Sequence, residues 1–206
     1  MAPELRALDI ADDPDAWAAA GFSVTDGAAV IDGVALRFTP VDGAEGITGW
    51  SLTEAEAGSI DGLFTTEGPA DAETPSAAHA NGTIAIDHVV AASPDLPRTV
   101  AALESFGIEA RRTRDTDLYG GPMRQVFFRL GRPILELIGP PEPMDGRPTV
   151  FWGLALTVDD LDATKQLLGD GLGDPKDAVQ PGRRIATLRH RDLGISVPVA
   201  FMSPEP

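Results

Sequence analysis

The alternation of apolar and polar positions divides this chain of 206 residues into short strands interrupted by a few helices. The segment TIAIDHVVAA, residues 83–92, is short, apolar and rich in β-branched side chains, the pattern of a buried strand. Ser93-Pro94-Asp95 then opens a helix, with Ser93 as N-cap and Pro94 at the first helical position. Leu96, Val100 and Leu103 fall on one helical face, Phe106 lies a turn beyond, and Gly107 is placed to end the helix. Residues 108–114, 123–130 and 133–138 read as three further strands, the last two joined by a tight turn at Gly131-Arg132. The order is β-α-β-β-β.

The pattern then recurs. Residues 149–158 (TVFWGLALTV) form an apolar strand, and Asp159-Asp160 cap a helix bearing Leu161, Leu167 and Leu168. Residues 184–190 (RIATLRH) and 195–202 (ISVPVAFM) supply the closing strands. His88 overlies Gly153 at an offset of 65 residues, and Glu136 overlies Ala200 at 64. The segments RQVFFRL and RIATLRH share their opening arginine and a second arginine five residues on, and the last strand of each copy ends near Pro140 or Pro204. Two copies imply paired βαβββ modules packed about a pseudo-twofold axis.

A fainter echo precedes them. Residues 5–11 read as a strand, Asp13-Pro14 as a helix start, residues 17–20 as a short helix, and residues 28–31 and 34–38 as strands joined by an Asp32-Gly33 turn. VALRFTP resembles ILELIGP, and GWSLT resembles GLALT; this alignment sets Leu8 and Leu36 in the places of His88 and Glu136. Residues 65–82 (TTEGPADAETPSAAHANG) lack apolar periodicity and read as a linker, within which His79 is expected to be solvated. The expected organisation is a degenerate N-terminal module over 1–64, a linker over 65–82, and a paired domain over 83–206, its modules at 83–141 and 149–203. The fold class is α+β: a cupped mixed sheet with helices outside.

Composition narrows the function. Apolar residues at 43% and charged residues at 23% are ordinary for a globular protein. The absence of cysteine excludes a disulfide scaffold, a thiolate metal site and a cysteine nucleophile. With no apolar run of roughly 20 residues and an acidic N-terminus, neither a membrane span nor an export signal is expected, and the location reads as cytoplasmic. The formal charge of −16 offers no basic footprint for nucleic acid. It is unevenly spread: residues 1–82 carry Arg6 and Arg37 against fifteen Asp and Glu, residues 83–206 fourteen basic against seventeen acidic groups. Neither a G-x-S-x-G elbow nor a glycine-rich phosphate loop occurs, and Asp159, Asp160 and Asp162 suit helix capping better than calcium binding.

Side chains alternate along strands, so Ile86, His88 and Val90 share a face, as do Ile134, Glu136 and Ile138. A glutamate between Leu135 and Leu137 is too expensive to bury alone, and therefore has a partner, a cation or a proton. IDHVV opening a βαβββ unit, ILELIGP closing it and FWGLALTVDDLDA opening the next resemble the vicinal oxygen chelate superfamily. That grouping includes glyoxalase I, bleomycin-resistance proteins, extradiol dioxygenases and methylmalonyl-CoA epimerase. The likeness covers residues 83–206 well and 1–64 weakly. It implies a divalent ion held by the first and last strands of each module, with His88 and Glu136 at two ligand positions. Imidazole plus carboxylate suits Fe, Mn, Ni, Zn or Co. Gly153 and Ala200 stand at the other two positions and supply no ligand, which leaves His190 as the candidate third, with Tyr119 and Gln125 as weaker options.

Two functions follow from the resemblance. In one, a metal-dependent lyase, isomerase or dioxygenase uses Glu136 as its catalytic carboxylate, with or without the ion. In the other, a metal-free cup of the bleomycin-resistance type binds or sequesters a small molecule. Arg124, Arg129, Arg184 and Tyr119 are the candidate ligand-binding residues, since guanidinium forks hold carboxylates and phosphates; arginines balancing surface Asp and Glu are the plainer alternative. Trp152, Phe127 and Phe128 read as core. A monomer or weak homodimer with a small-molecule ligand is expected.

Overall fold

The computed structural model describes residues 2–69, 77–117 and 120–206, which form two mixed sheets. The first contains β1 (Leu5–Ile10), α1 (Pro14–Ala19) as a crossover, β2 (Ala28–Ile31), β3 (Val34–Phe38), β4 (Ile47–Leu52), β5 (Gly58–Ile60) and β6 (Leu63–Glu67), in the order β2-β3-β1-β4-β6-β5. The second begins with β7 (Thr83–Ala92), α2 (Leu96–Ser105), β8 (Ala110–Thr116), β9 (Met123–Arg129) and β10 (Ile134–Gly139). It continues with β11 (Val150–Val158), α3 (Leu161–Leu168), β12 (Lys176–Asp177), β13 (Arg184–Thr187) and β14 (Val199–Met202). Its order is β12-β13-β14-β11-β7-β10-β9-β8.

One rule builds both sheets. The opening strands of successive units lie antiparallel at the centre, β1 against β4 and β7 against β11. Each is flanked on its other side by the closing strand of its own unit, running parallel: β3, β6, β10 and β14. The second sheet holds two full βαβββ units. Each unit of the first sheet is a strand shorter, and the β4–β6 unit has no helix.

Three local expectations change. The segment from Thr65 onward is not all linker, because β6 runs to Glu67 and pairs with β5 across an Asp61-Gly62 turn. Both turn residues have positive φ, 50° and 103°, as a two-residue hairpin of this type demands. The α2 cap is Asp95, whose carboxylate accepts from the Arg98 N–H, while the Ser93 hydroxyl accepts from the Asp95 N–H. The helix thus begins two residues later than the Ser-Pro pair suggested. β13 stops at Thr187, and residues 190–193 form a short 3₁₀ turn instead of more strand.

The sheets stack with their apolar faces inward. Trp50 of β4 meets Phe151 of β11 edge-on at 5.2 Å, and Phe22 stacks on Phe201 of β14 at 6.3 Å. Apolar side chains of both sheets and of α2 and α3 form one continuous cluster. Two polar clasps fix the register between layers. Buried Asp12 accepts from the Trp17 indole at 2.9 Å and from the Ser196 N–H at 3.1 Å, and the Ser196 hydroxyl in turn accepts from the Gly46 N–H at 2.6 Å. Asp61 accepts from Arg98 at 2.7 Å and from Thr149 at 3.0 Å, and also bonds Thr99. Burial alone would raise the Asp61 carboxyl, but these donors outweigh it and hold it below the ordinary aspartate value. No helix among the described residues is long and apolar enough to cross a membrane.

His79 is a further correction, because it is 7% exposed instead of solvated. Its Nδ1 accepts from the Ser23 N–H at 3.0 Å, which leaves the proton on Nε2 to be donated to the Val30 carbonyl at 3.1 Å. Burial lowers the imidazole from its ordinary value, only partly offset by the Val30 bond. A depressed folded value means the unfolded chain binds more protons in the window just below about pH 6.5, so stability falls as pH falls there. Urea unfolding at pH 7.5 and 5.5 should show that loss in wild type and a smaller one in His79→Gln. Equal losses would sink the assignment.

Candidate functional site

Register assigns the two faces of the second sheet. Leu135 pairs with Phe128 and Leu137 with Val126, and this set, with Val89 and Ala91, points inward. The opposite parity faces away from the first sheet and forms rows across neighbouring strands. One row runs Arg112, Phe127, Glu136, Val90, Gly153; the next runs Arg129, Ile134, His88, Ala155, Ala200.

A bulge completes the site. Along β11 the partner of Ala155 is His88 but that of Leu156 is Ile86, so Asp87 has no opposite number. A bulge turns two successive side chains to one face. Asp87 therefore joins His88 on the outer side, while Ile86, expected beside His88, goes inward with Leu156.

These residues form one connected polar chain. His88 Nδ1 lies 2.8 Å from Asp87 Oδ1, and His88 Nε2 lies 3.3 Å from Glu136 Oε2. The two groups are thus close enough to share a proton or a cation. Glu136 is 6% exposed. Its Oε1 accepts from Gln125 Nε2, and Gln125 Oε1 accepts from Arg114 Nε at 2.7 Å. At the other end Arg183, its side chain only 3% exposed, donates to Asp87 Oδ2 at 2.6 Å and to the Ser203 carbonyl at 2.9 Å. Burial would raise the Asp87 carboxyl, but the bonds from His88 and Arg183 outweigh it and hold it below the ordinary value.

The donor set can be tested against the divalent ion that the resemblance implies. His88 and Glu136 have the right chemistry, and Asp87 orients the imidazole as a supporting carboxylate does in metal sites. The other two positions fail. A Cβ added at Gly153 would meet the Pro198 carbonyl oxygen at 2.7 Å, and Ala200 carries no donor. Among the described residues no cluster of three His, Asp or Glu side chains is arranged to hold an ion. Catalytic zinc commonly keeps three protein ligands, and non-haem iron two histidines and a carboxylate. These residues do not fit a resident metal ion.

The structure sorts the other candidates by side. His190 joins neither His88 nor Glu136: it lies in the 3₁₀ turn beyond β13, with Nδ1 2.8 Å from the Ile195 carbonyl. Arg129 is on the site face. Arg124 is not, because Gln125 takes that face and alternation sends its neighbour to the back, where it pairs with Asp115 at 2.7 Å. Arg184 likewise pairs with Asp162 of α3 at 2.8 Å, whereas adjacent Arg183 reaches the site. Tyr119 lies outside the described residues. Phe128 is core, but Phe127 is half-buried on the site face, and Trp152 is 49% exposed. A second bulge, between the Phe151 and Gly153 pairings, turns the Trp152 indole outward. In the first sheet, Leu8 and Leu36 are wholly buried on the inner face; the outward positions beside them hold Asp9 and Arg37, which pair at 2.7 Å.

Asp87, Arg112 and Arg114 are the outer-face residues that alternation and spacing did not single out. The signal for Asp87 was present, since two adjacent polar residues within an apolar strand cannot both avoid the core without a bulge.

Comparison with known proteins follows the same lines. The sequence model described as Glyoxalase/Bleomycin resistance protein/Dioxygenase superfamily matches residues 87–186. No curated protein matches the sequence. Among solved structures, methylmalonyl-CoA epimerase from Mycobacterium tuberculosis is 21% identical, with 61% of this chain and 91% of that one covered and a TM-score of 0.49. A triple mutant of 4-hydroxymandelate synthase from Streptomyces coelicolor is 13% identical, with 98% and 92% covered and a TM-score of 0.66. A xylose isomerase-like TIM barrel/4-hydroxyphenylpyruvate dioxygenase fusion protein is 14% identical, with 98% and 49% covered and a TM-score of 0.60. The last two share the fold across both sheets of this chain.

Proposed function

Since residues 87–186 belong to the vicinal oxygen chelate (glyoxalase/bleomycin resistance protein/dioxygenase) superfamily, we propose that this protein binds a small molecule on the outer face of its eight-stranded sheet, with the His88–Glu136 pair as polar anchor and without a resident metal ion. The observation that carries this reading is the one-sidedness of the site. One module offers an imidazole and a carboxylate, whereas the other offers Gly153 closed off by Pro198, and Ala200. Gln125 occupies the second carboxylate oxygen of Glu136.

A specific observation favours acid–base chemistry as a second reading. His88 lies between two carboxylates, its Nδ1 2.8 Å from Asp87 Oδ1 and its Nε2 3.3 Å from Glu136 Oε2. A bound carbon or oxygen acid would give its proton to Glu136 Oε2, and His88, its ring held by Asp87, would return one from Nε2.

Metal analysis of untagged protein tests the first reading. Wild type and Glu136→Ala should both contain far less than one divalent ion per chain. A near-stoichiometric ion in wild type that disappears in Glu136→Ala would overturn the metal-free site. For the second reading, Glu136→Gln should retain ligand binding and lose turnover; loss of neither would leave Glu136 a structural residue.

A further inference from the structure

The outer face is unevenly charged, and the charge left over is positive. Its two carboxylates already have partners on the face, Asp87 in Arg183 and His88, and Glu136 in Gln125 with His88 at 3.3 Å, so they are not the partners of the arginines at its other end. Arg112 and Arg129 are exposed, and among the described residues neither side chain has a hydrogen bond or ion pair. Arg114 spends its Nε on the uncharged Gln125 amide, so its charge also stands uncompensated. Three free guanidinium charges on one face are unexpected in a chain of formal charge −16, where acidic partners are abundant. Arg124, which lies on the back of this module, does pair, with Asp115.

Beside the arginines the same face is apolar. Phe127 lies directly between Arg112 and Glu136 in one row, and Ile134 between Arg129 and His88 in the next. Across β7 the row continues through Val90 to the bulge that presents Trp152. Strands are spaced about 4.8 Å apart, so β8 and β11 stand roughly 19 Å from each other across four intervals.

We infer that the ligand of this face is an amphipathic anion, with a carboxylate or phosphate head on Arg112, Arg114 and Arg129 and an aromatic or alkyl body lying over Phe127 toward Trp152. The inference rests on the small-molecule reading above and adds the ligand's chemical class. Arginine forks grip planar or tetrahedral oxyanions through paired N–H donors, and the desolvated apolar strip beside them excludes water from one flank. An exposed indole beside that strip offers a stacking surface.

The probes are 4-phenylbutyrate and benzylphosphonate as anions, 4-phenylbutan-1-ol as the neutral analogue and 4-phenylbutylamine as the cation. Calorimetry gives affinity. Acrylamide quenching gives location, because Trp152 is the exposed indole while Trp17 and Trp50 are fully buried. At least one anion should bind and exceed the alcohol and the amine by about tenfold or more, and an anion whose body reaches across β7 should also shield Trp152. The doubly substituted Arg112→Gln/Arg129→Gln protein should lose most of that preference with the alcohol unaffected. Arg124→Gln/Arg184→Gln makes the same charge change on the back and should retain it. The carboxylate and phosphonate arms tell which head group is preferred. Equal affinity for acid, alcohol and amine, or equal losses in the two double variants, would overturn the anionic class while leaving the small-molecule site standing. Binding by none of the four would overturn both.

Discussion

Replacing Trp50 with alanine is expected to lower the unfolding free energy by about 3–5 kcal/mol, the range seen when a large aromatic is deleted from a packed interior. The indole is fully buried, meets Phe151 of the other sheet edge-on, and donates from Nε1 to the Thr65 hydroxyl at 2.7 Å. Its removal leaves a void between two layers that cannot approach each other, because the Asp12–Ser196 and Asp61–Arg98 clasps hold their separation. Thr65 keeps a partner through the Leu63 carbonyl at 3.0 Å, so the loss is chiefly packing. Urea unfolding followed by fluorescence and circular dichroism should give one transition at lower urea. A change below about 1 kcal/mol would contradict the role given to this contact.

Arg183→Met is expected to be nearly as damaging, by about 3–5 kcal/mol, because it strands a partly buried carboxylate without its cation. The guanidinium bridges Asp87 and the Ser203 carbonyl, tying β7 to the end of β14. Adding Asp87→Asn should recover part of the loss, since the unpaired charge goes with it, and a double-mutant cycle measures the coupling. The pH dependence gives a second readout. Asp87 titrates below its ordinary value in the folded protein, so its contribution is present above about pH 4 and is lost as pH falls through the folded value. In Arg183→Met that acid-side loss should shrink. An unchanged acid limb, or a double variant no more stable than the single one, would dissociate Arg183 from Asp87.

Much of the architecture was legible because strand repeats leave long-range marks: the 65-residue offset of the modules survives in the caps, Asp95 and Asp160. His88 and Glu136 were found for the same reason, each being a polar residue inside an apolar strand. The failures share one cause. Side chains along a strand have a period of two, so an error of a single residue reverses the face. That is why Arg124 lies on the back while its neighbour Gln125 reaches Glu136, why Arg184 turns to α3 while Arg183 reaches Asp87, and why Leu8 and Leu36 face inward while Asp9 and Arg37 face out. Bulges add the same slip within a strand, as at Asp87 and Trp152. The β5–β6 hairpin was hidden by its brevity, although Asp61-Gly62 is a strong turn signal.

The sheets meet through their apolar sides, so the N-terminal half buttresses the His88–Glu136 face from behind and does not roof it. Phe127, Arg112 and Arg129 lie on the outer face, whereas Trp50 with Phe151 and Phe22 with Phe201 meet between the sheets. The exposed side chains Arg112, Arg129 and Trp152 are therefore mutable apart from the joint between the sheets, whereas the Asp87–Arg183 pair serves both the outer face and stability. Lineages carrying this scaffold can drift from one ligand to another by exchanging a handful of outward side chains, with the joint that keeps the molecule folded under its own, independent selection.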